Sequence, residues 1–178
     1  MPTFASNTVH GLSADVYFKS IPVRVFGDVT ITVEPAVLEL TANDEGAFNP
    51  VEVFRRGDSV TVGIPVADTL GLATLSGVLM PFASLSVISG AVSGIVLPKP
   101  TPGQSFLGKA GELRLVCRDG SATWVFPSGV CFALEELAMS EENQMIWGAT
   151  FRCFNATISG GVVTPFYVLS GSVVTGPV

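Results

Sequence analysis

A mainly β domain is what this sequence predicts, and three observations carry the prediction. Gly occurs 19 times and Pro 12 times in 178 residues, a frequency that favours turns over long helices. Residues 28–34 alternate strictly, with Val29, Ile31 and Val33 on one side and Asp28, Thr30, Thr32 and Glu34 on the other. That is the period-2 signature of a strand with one apolar and one polar face. Residues 112–127 place two β-forming runs on either side of Asp119-Gly120, a hairpin signal.

Taken in order, residues 1–14 read as an extended N-terminal arm of small polar residues, and strand-like material begins at Tyr17 and Phe18. Gly27-Asp28 marks a turn before the alternating strand, which Pro35 is expected to loosen. Residues 41–50 form a polar loop longer than a tight hairpin needs. Residues 51–54 and 59–64 read as strands around a turn at Arg55, Arg56, Gly57 and Asp58. Asp68 is placed to cap one short helix in which Leu72, Leu75 and Leu79 recur at helical spacing. Pro81 stops it, and Gly71 and Gly77 weaken it unless it is packed. Residues 98–104, with three prolines and a glycine, are a loop.

In the 112–127 hairpin a two-residue type I′ turn at Asp119-Gly120 would pair Arg118 with Ser121, Leu115 with Trp124 and Leu113 with Phe126. Cys117 then faces Ala122, and the pairs form one apolar face. Residues 129–134 and 145–154 give two more strands, joined by an acidic turn over 135–143. Residues 160–178 combine Gly, Pro and β-formers with no charge, as expected of a C-terminal arm or strand that meets a partner. The organisation is thus an arm over 1–14, a β domain over 15–159 and the uncharged terminus over 160–178.

Charged residues make up only 13% of the chain, about half the usual share of ~25%. So few charges predict a surface covered by neighbours. The net charge of −6 argues against a general phosphate footprint for nucleic acid. Residues 69–98 carry no charge, which raises the question of a membrane span. Gly71, Gly77, Pro81, Gly90 and Gly94 interrupt the run, and Thr74, Ser76, Ser84, Ser86, Ser89 and Ser93 make it semi-polar. No membrane span is predicted; the segment reads as a short buried helix followed by strands that pack against other subunits. The first residues have neither a basic region nor an apolar run, so no signal peptide is expected and the thiols are expected to be free.

Candidate chemistry is sparse. His10 is the only histidine and lies in the expected arm. Cys117, Cys131 and Cys153 show no C-x-x-C spacing and sit in apolar, strand-like contexts, where Cys behaves as a small hydrophobe. Glu135-Glu136 and Glu141-Glu142 are adjacent pairs, and adjacent side chains do not face each other for acid/base work. Arg55-Arg56 reads as an exposed pair, and Asn155-Ala156-Thr157 matters as a glycosylation acceptor only in a secreted chain. No catalytic, cofactor or metal site is expected.

Four stretches in order give the chain a resemblance. They are VFGDVTITVEP over 25–35, PVEVFRRGDSVTVGIPVA over 50–67, GELRLVCRDGSATWVFP over 111–127 and NQMIWGATFRCF over 143–154. An early strand, a G-D-x-V-T-V strand leading into a helix, a G-x-L-x-L hairpin and a final W-x-x-x-F strand together resemble the major tail tube proteins of long-tailed bacteriophages. Each piece is degenerate and the order carries the signal; it spans roughly two-thirds of the chain. The resemblance implies two packed antiparallel sheets with one short flanking helix. It also implies a non-enzymatic virion subunit, made in the host cytoplasm, that forms hexameric rings stacked into a hollow tube. Its partners would be copies of itself, the tape measure, terminator and baseplate hub, with DNA passing through unbound. The helix region departs from the family in lacking charge. The polar residues Asp28, Thr30, Thr32 and Glu34 are candidates for the lumen wall, with outside solvent as the other address for that face. A β-sandwich binding module, a tail terminator and a decoration protein are the alternative readings.

Overall fold

Apolar alternation along successive strands forces one face of each inward, and here the strands form two antiparallel layers around a single core. The computed structural model describes residues 7–41, 50–67, 75–90, 92–96, 101–140 and 143–170. The strands are β1 (Asn7–Leu12), β2 (Ala14–Phe18), β3 (Ile21–Val23), β4 (Val29–Thr41), β5 (Pro50–Ala67), β6 (Ser84–Ser89) and β7 (Val92–Val96). They continue with β8 (Gly111–Cys117), β9 (Ala122–Ser140), β10 (Asn143–Cys153), β11 (Ala156–Thr157), β12 (Val163–Thr164) and β13 (Tyr167–Ser170). The main sheet runs β1-β4-β5-β10-β9-β8-β2-β3, with β13 also paired to β9. Two small hairpins, β6–β7 and β11–β12, complete the β structure.

The sheet folds over so that its halves face each other. Phe18 of β2 meets Phe151 of β10 with ring centroids 5.3 Å apart, although two strands separate them along the sheet. Val16, Ile31, Val60, Val62, Ile64, Leu113, Leu115 and Phe126 fill the space between the layers. The second seam is closed by the chain beyond β3. Val25 bridges Val66, the Phe26 N–H donates to the Pro65 carbonyl, and the Ala67 N–H donates to the Arg24 carbonyl, each at 2.9 Å. Closure of this kind removes two strand edges that would otherwise template foreign pairing.

The 111–127 hairpin shows how far local sequence fixes register. Leu115 pairs with Trp124 and Leu113 with Phe126, as the residues predict. The turn differs. It is a four-residue connection in which the Gly120 N–H donates to the Cys117 carbonyl at 3.0 Å, and only Gly120, at φ +72°, is left-handed. The Asp119 carboxylate accepts from the Ser121 N–H at 2.9 Å, which holds this wider connection in place of a I′ turn. The two-residue primed turn lies elsewhere. Phe18 pairs with Ile21 across Lys19 and Ser20, whose φ values are +49° and +64°. Lys19 is steadied by its ammonium, which donates to the Lys109 carbonyl at 2.9 Å. The hairpin also has two covered faces instead of one, since Val116, Thr123 and Val125 are buried as well.

Other expectations are corrected. The expected turn at 55–58 is a β-bulge inside one continuous strand: Ala36 pairs with Gly57 and Val37 with Arg55, leaving Arg56 as the extra residue. Gly57 adopts φ +148°, a conformation that suits glycine. Pro35 does not end β4; it lies beyond Asn7↔Val33, the last pair with β1, and among the described residues no ladder on that side needs its missing N–H. The acidic stretch 135–143 is strand at both ends, β9 running to Ser140 and β10 starting at Asn143, because cross-strand backbone pairing tolerates carboxylates on a ribbon. Residues 7–12 of the expected arm pair with β4, and Ala14 is in the core. At the other terminus β13 adds to β9, and the Phe166 ring packs on Trp124 and Phe126.

The flanking helix is a single turn, Leu75–Leu79, with Val78 and Leu79 buried in the core. The Asp68 cap and residues 42–49 of the expected loop lie outside the described residues. A second short turn, Leu107–Lys109, follows the loop. Among the described residues no helix is long and apolar enough to cross a membrane.

Candidate functional site

The polar side of β4 continues across two further strands. Val29 and Ile31 are buried and Val33 packs on the core, so the intervening residues face outward: Thr30 and Thr32 half-buried, Glu34 exposed, and Asp28 exposed just before the strand. Directly paired residues of antiparallel strands share a face. Thr30 pairs with Gly63, Thr32 with Thr61 and Glu34 with Ser59 of β5. Gly63 in turn pairs with Thr150 and Thr61 with Arg152 of β10. The result is a hydroxyl-rich patch three strands wide, with two carboxylates at its β4 side and one guanidinium at its β10 side. Arg152 lies over the Phe132 ring, 5.9 Å from its centroid.

Alternation marks the β4 part of this patch, with Thr30, Thr32 and Glu34 paired on it and Asp28 just before the strand. The contributions of β5 and β10 were missed, although Ser59-Val60-Thr61-Val62-Gly63-Ile64 carries the same period-2 signal; what the sequence lacks is the pairing. Chemically the patch offers neutral hydroxyl donors and acceptors. The thiols do not line it: Cys153 follows Arg152 on β10 but belongs to the core, as does Cys131. Cys131 and Cys153 are buried, and desolvation pushes each up to about 12, so both stay protonated at neutral pH. Among the described residues no group of three or more His, Cys, Asp or Glu is placed to hold a metal ion.

A second feature is the C-terminal edge. From Cys153 to Val178 the sequence contains no charged residue. Within this stretch Val162 and Val163 are exposed, and on the short strand β13 Val168 and Leu169 are 46% and 36% exposed. Among the described residues β13 pairs only with β9. Its other edge carries neither charge nor proline, the usual guards against strand addition.

No family model matches this chain, and no curated protein is significantly similar to it.

Proposed function

We propose that the chain is a non-enzymatic structural subunit of a phage tail tube, assembling into stacked, hexameric rings. The observation that carries this reading is the unguarded, apolar edge of β13 in a 26-residue terminus without charge. Solitary β domains blunt such edges, whereas a subunit that closes a ring has them covered by its neighbour. The β1 strand is one end of the main sheet's strand order and is the natural counterpart. The low charged fraction fits a subunit with neighbours on several sides. Tape measure, terminator and hub would be its partners in the virion.

The hydroxyl-rich patch, with Asp28, Thr30, Thr32 and Glu34 on its β4 side, is the proposed lumen wall. A tube that passes DNA must not hold it, and carboxylates with neutral hydroxyls avoid the counterion release that makes phosphate contacts sticky. Two experiments test the reading. Val168→Lys with Leu169→Lys places charge on the edge and should leave a monomer that melts like the wild type; unchanged self-association in sedimentation would refute the edge assignment. Asp28→Lys with Glu34→Lys should leave assemblies intact and slow DNA release, most at low salt. Normal release would refute the wall assignment.

A further inference from the structure

Asp119-Gly120 is the only place in the sequence where glycine follows an aspartate or an asparagine. Such a pair carries a reaction of its own. The Gly120 main-chain nitrogen can attack the Asp119 side-chain carboxyl carbon. A C–N bond forms, the amide proton is lost and the carboxyl hydroxyl leaves, so that one water departs and a five-membered succinimide remains. Water then opens the ring. Opening at the main-chain carbonyl yields isoaspartate, in which the backbone runs through the former side chain and is one carbon longer. Glycine permits the attack because no Cβ crowds the nitrogen and the backbone is free to bring it onto the carboxyl. Asp119 and Ser121 are exposed, so water reaches the turn.

In the folded chain both reacting groups are engaged elsewhere. The Gly120 N–H donates to the Cys117 carbonyl at 3.0 Å. Cys117 is buried and paired with Ala14 of β2, which fixes that carbonyl. The Asp119 Oδ1 accepts from the Ser121 N–H at 2.9 Å and from the Ser121 hydroxyl at 2.7 Å. Attack rotates the carboxyl out of these two bonds and withdraws the Gly120 proton from Cys117. The Ser121 bonds also favour the ionised carboxyl, and a carboxylate has no hydroxyl to release. The residue before the pair is tied down as well: the Arg118 N–H donates to the Ser13 carbonyl at 3.1 Å and its Nε to Asp15 at 2.9 Å.

We infer that Asp119-Gly120 is a succinimide-forming site that the fold keeps closed, and that Ser121 is the residue that closes it. Any state that frees the turn opens the site, whether an unfolded chain or one without the Ser121 hydroxyl. The modification then lengthens the β8–β9 connection by one carbon.

Peptide mapping by mass spectrometry of the full-length protein tests it. Folded wild-type protein is incubated at neutral pH below its melting temperature, beside the same protein in guanidinium chloride, and isoaspartate at residue 119 is followed over time. The folded chain should react several times more slowly than the unfolded one. Ser121→Ala should react roughly fivefold faster than the folded wild type, the effect of one hydrogen bond of ordinary strength. Ser121→Thr keeps the hydroxyl and should age like the wild type. Folded and unfolded wild type reacting at one rate would overturn the proposal, as would an unfolded chain that gives no isoaspartate at 119. Neither result needs a variant, so both stand even if Ser121→Ala fails to fold. A Ser121→Ala chain that melts like the wild type and ages at the same rate would overturn it too.

Discussion

Strand β5 lives in two environments. Over its second half Val60, Val62, Ile64 and Val66 are all buried, held between β10 on one side and β4 or the chain after β3 on the other. Among the described residues its first half pairs only with β4, and it carries the Arg56 bulge and the exposed ion pair of Arg55 with Asp58, in which the Arg55 Nε donates at 3.0 Å. Both halves make a regular ladder. Backbone pairing thus carries the strand past Val60 to a stretch where Arg55 and its pair partner Val37 are exposed. Exposed ion pairs contribute little to folding.

The largest expected effect lies in the buried half. Phe151 joins the two layers through Phe18, and Phe151→Ala should cost about 3–5 kcal/mol in urea unfolding. Val37, the partner of Arg55, is 41% exposed, and Val37→Ala should change the same measurement by less than about 0.5 kcal/mol. Equal costs would erase the contrast. Amide exchange sharpens it next: amides of residues 60–67 should be protected close to the global unfolding limit, and those of 50–58 far less. Uniform protection along β5 would mean that its first half belongs to the cooperative core.

A smaller effect is expected at the primed turn. Lys19→Asn with Ser20→Gly relieves two left-handed non-glycine residues and should stabilise the fold by about 1 kcal/mol. Loss of stability would show that the Lys19 contacts over the 109–111 segment outweigh the backbone strain. The smallest effect concerns Asp119. Hydrogen bonds from the Ser121 N–H and then its hydroxyl hold the carboxyl below its ordinary value of 3.8. A depressed carboxylate contributes above the unfolded value and loses that contribution as pH falls through the folded one. Ser121→Ala should move the Asp119 titration upward in NMR, and an unmoved titration would contradict the turn geometry.

Much of the fold is legible in the residues. Alternation over 28–34 gives the core face of β4, and the spacing of Leu113, Leu115, Trp124 and Phe126 gives the hairpin register, because both are local. The turn at 119–120 was misjudged because Asp-Gly suits several turn types and Ser121 decides among them. Lys19-Ser20 carries no primed-turn signal; the pairing of β2 with both β3 and β8 imposes it. The bulge at Arg56 reads as a turn because glycine next to charged residues marks both. The extent of the polar patch and the closure at Val25 and Val66 both depend on strands far apart in sequence, and no local pattern reports them.

We propose that this β domain is built to be stacked. Negative-stain microscopy of the purified, full-length protein at high concentration tests it most directly. Closed rings and stacked tubes with a central channel are expected, and they should disappear when Val168 and Leu169 are both changed to lysine. Monodisperse single particles at every concentration would contradict it.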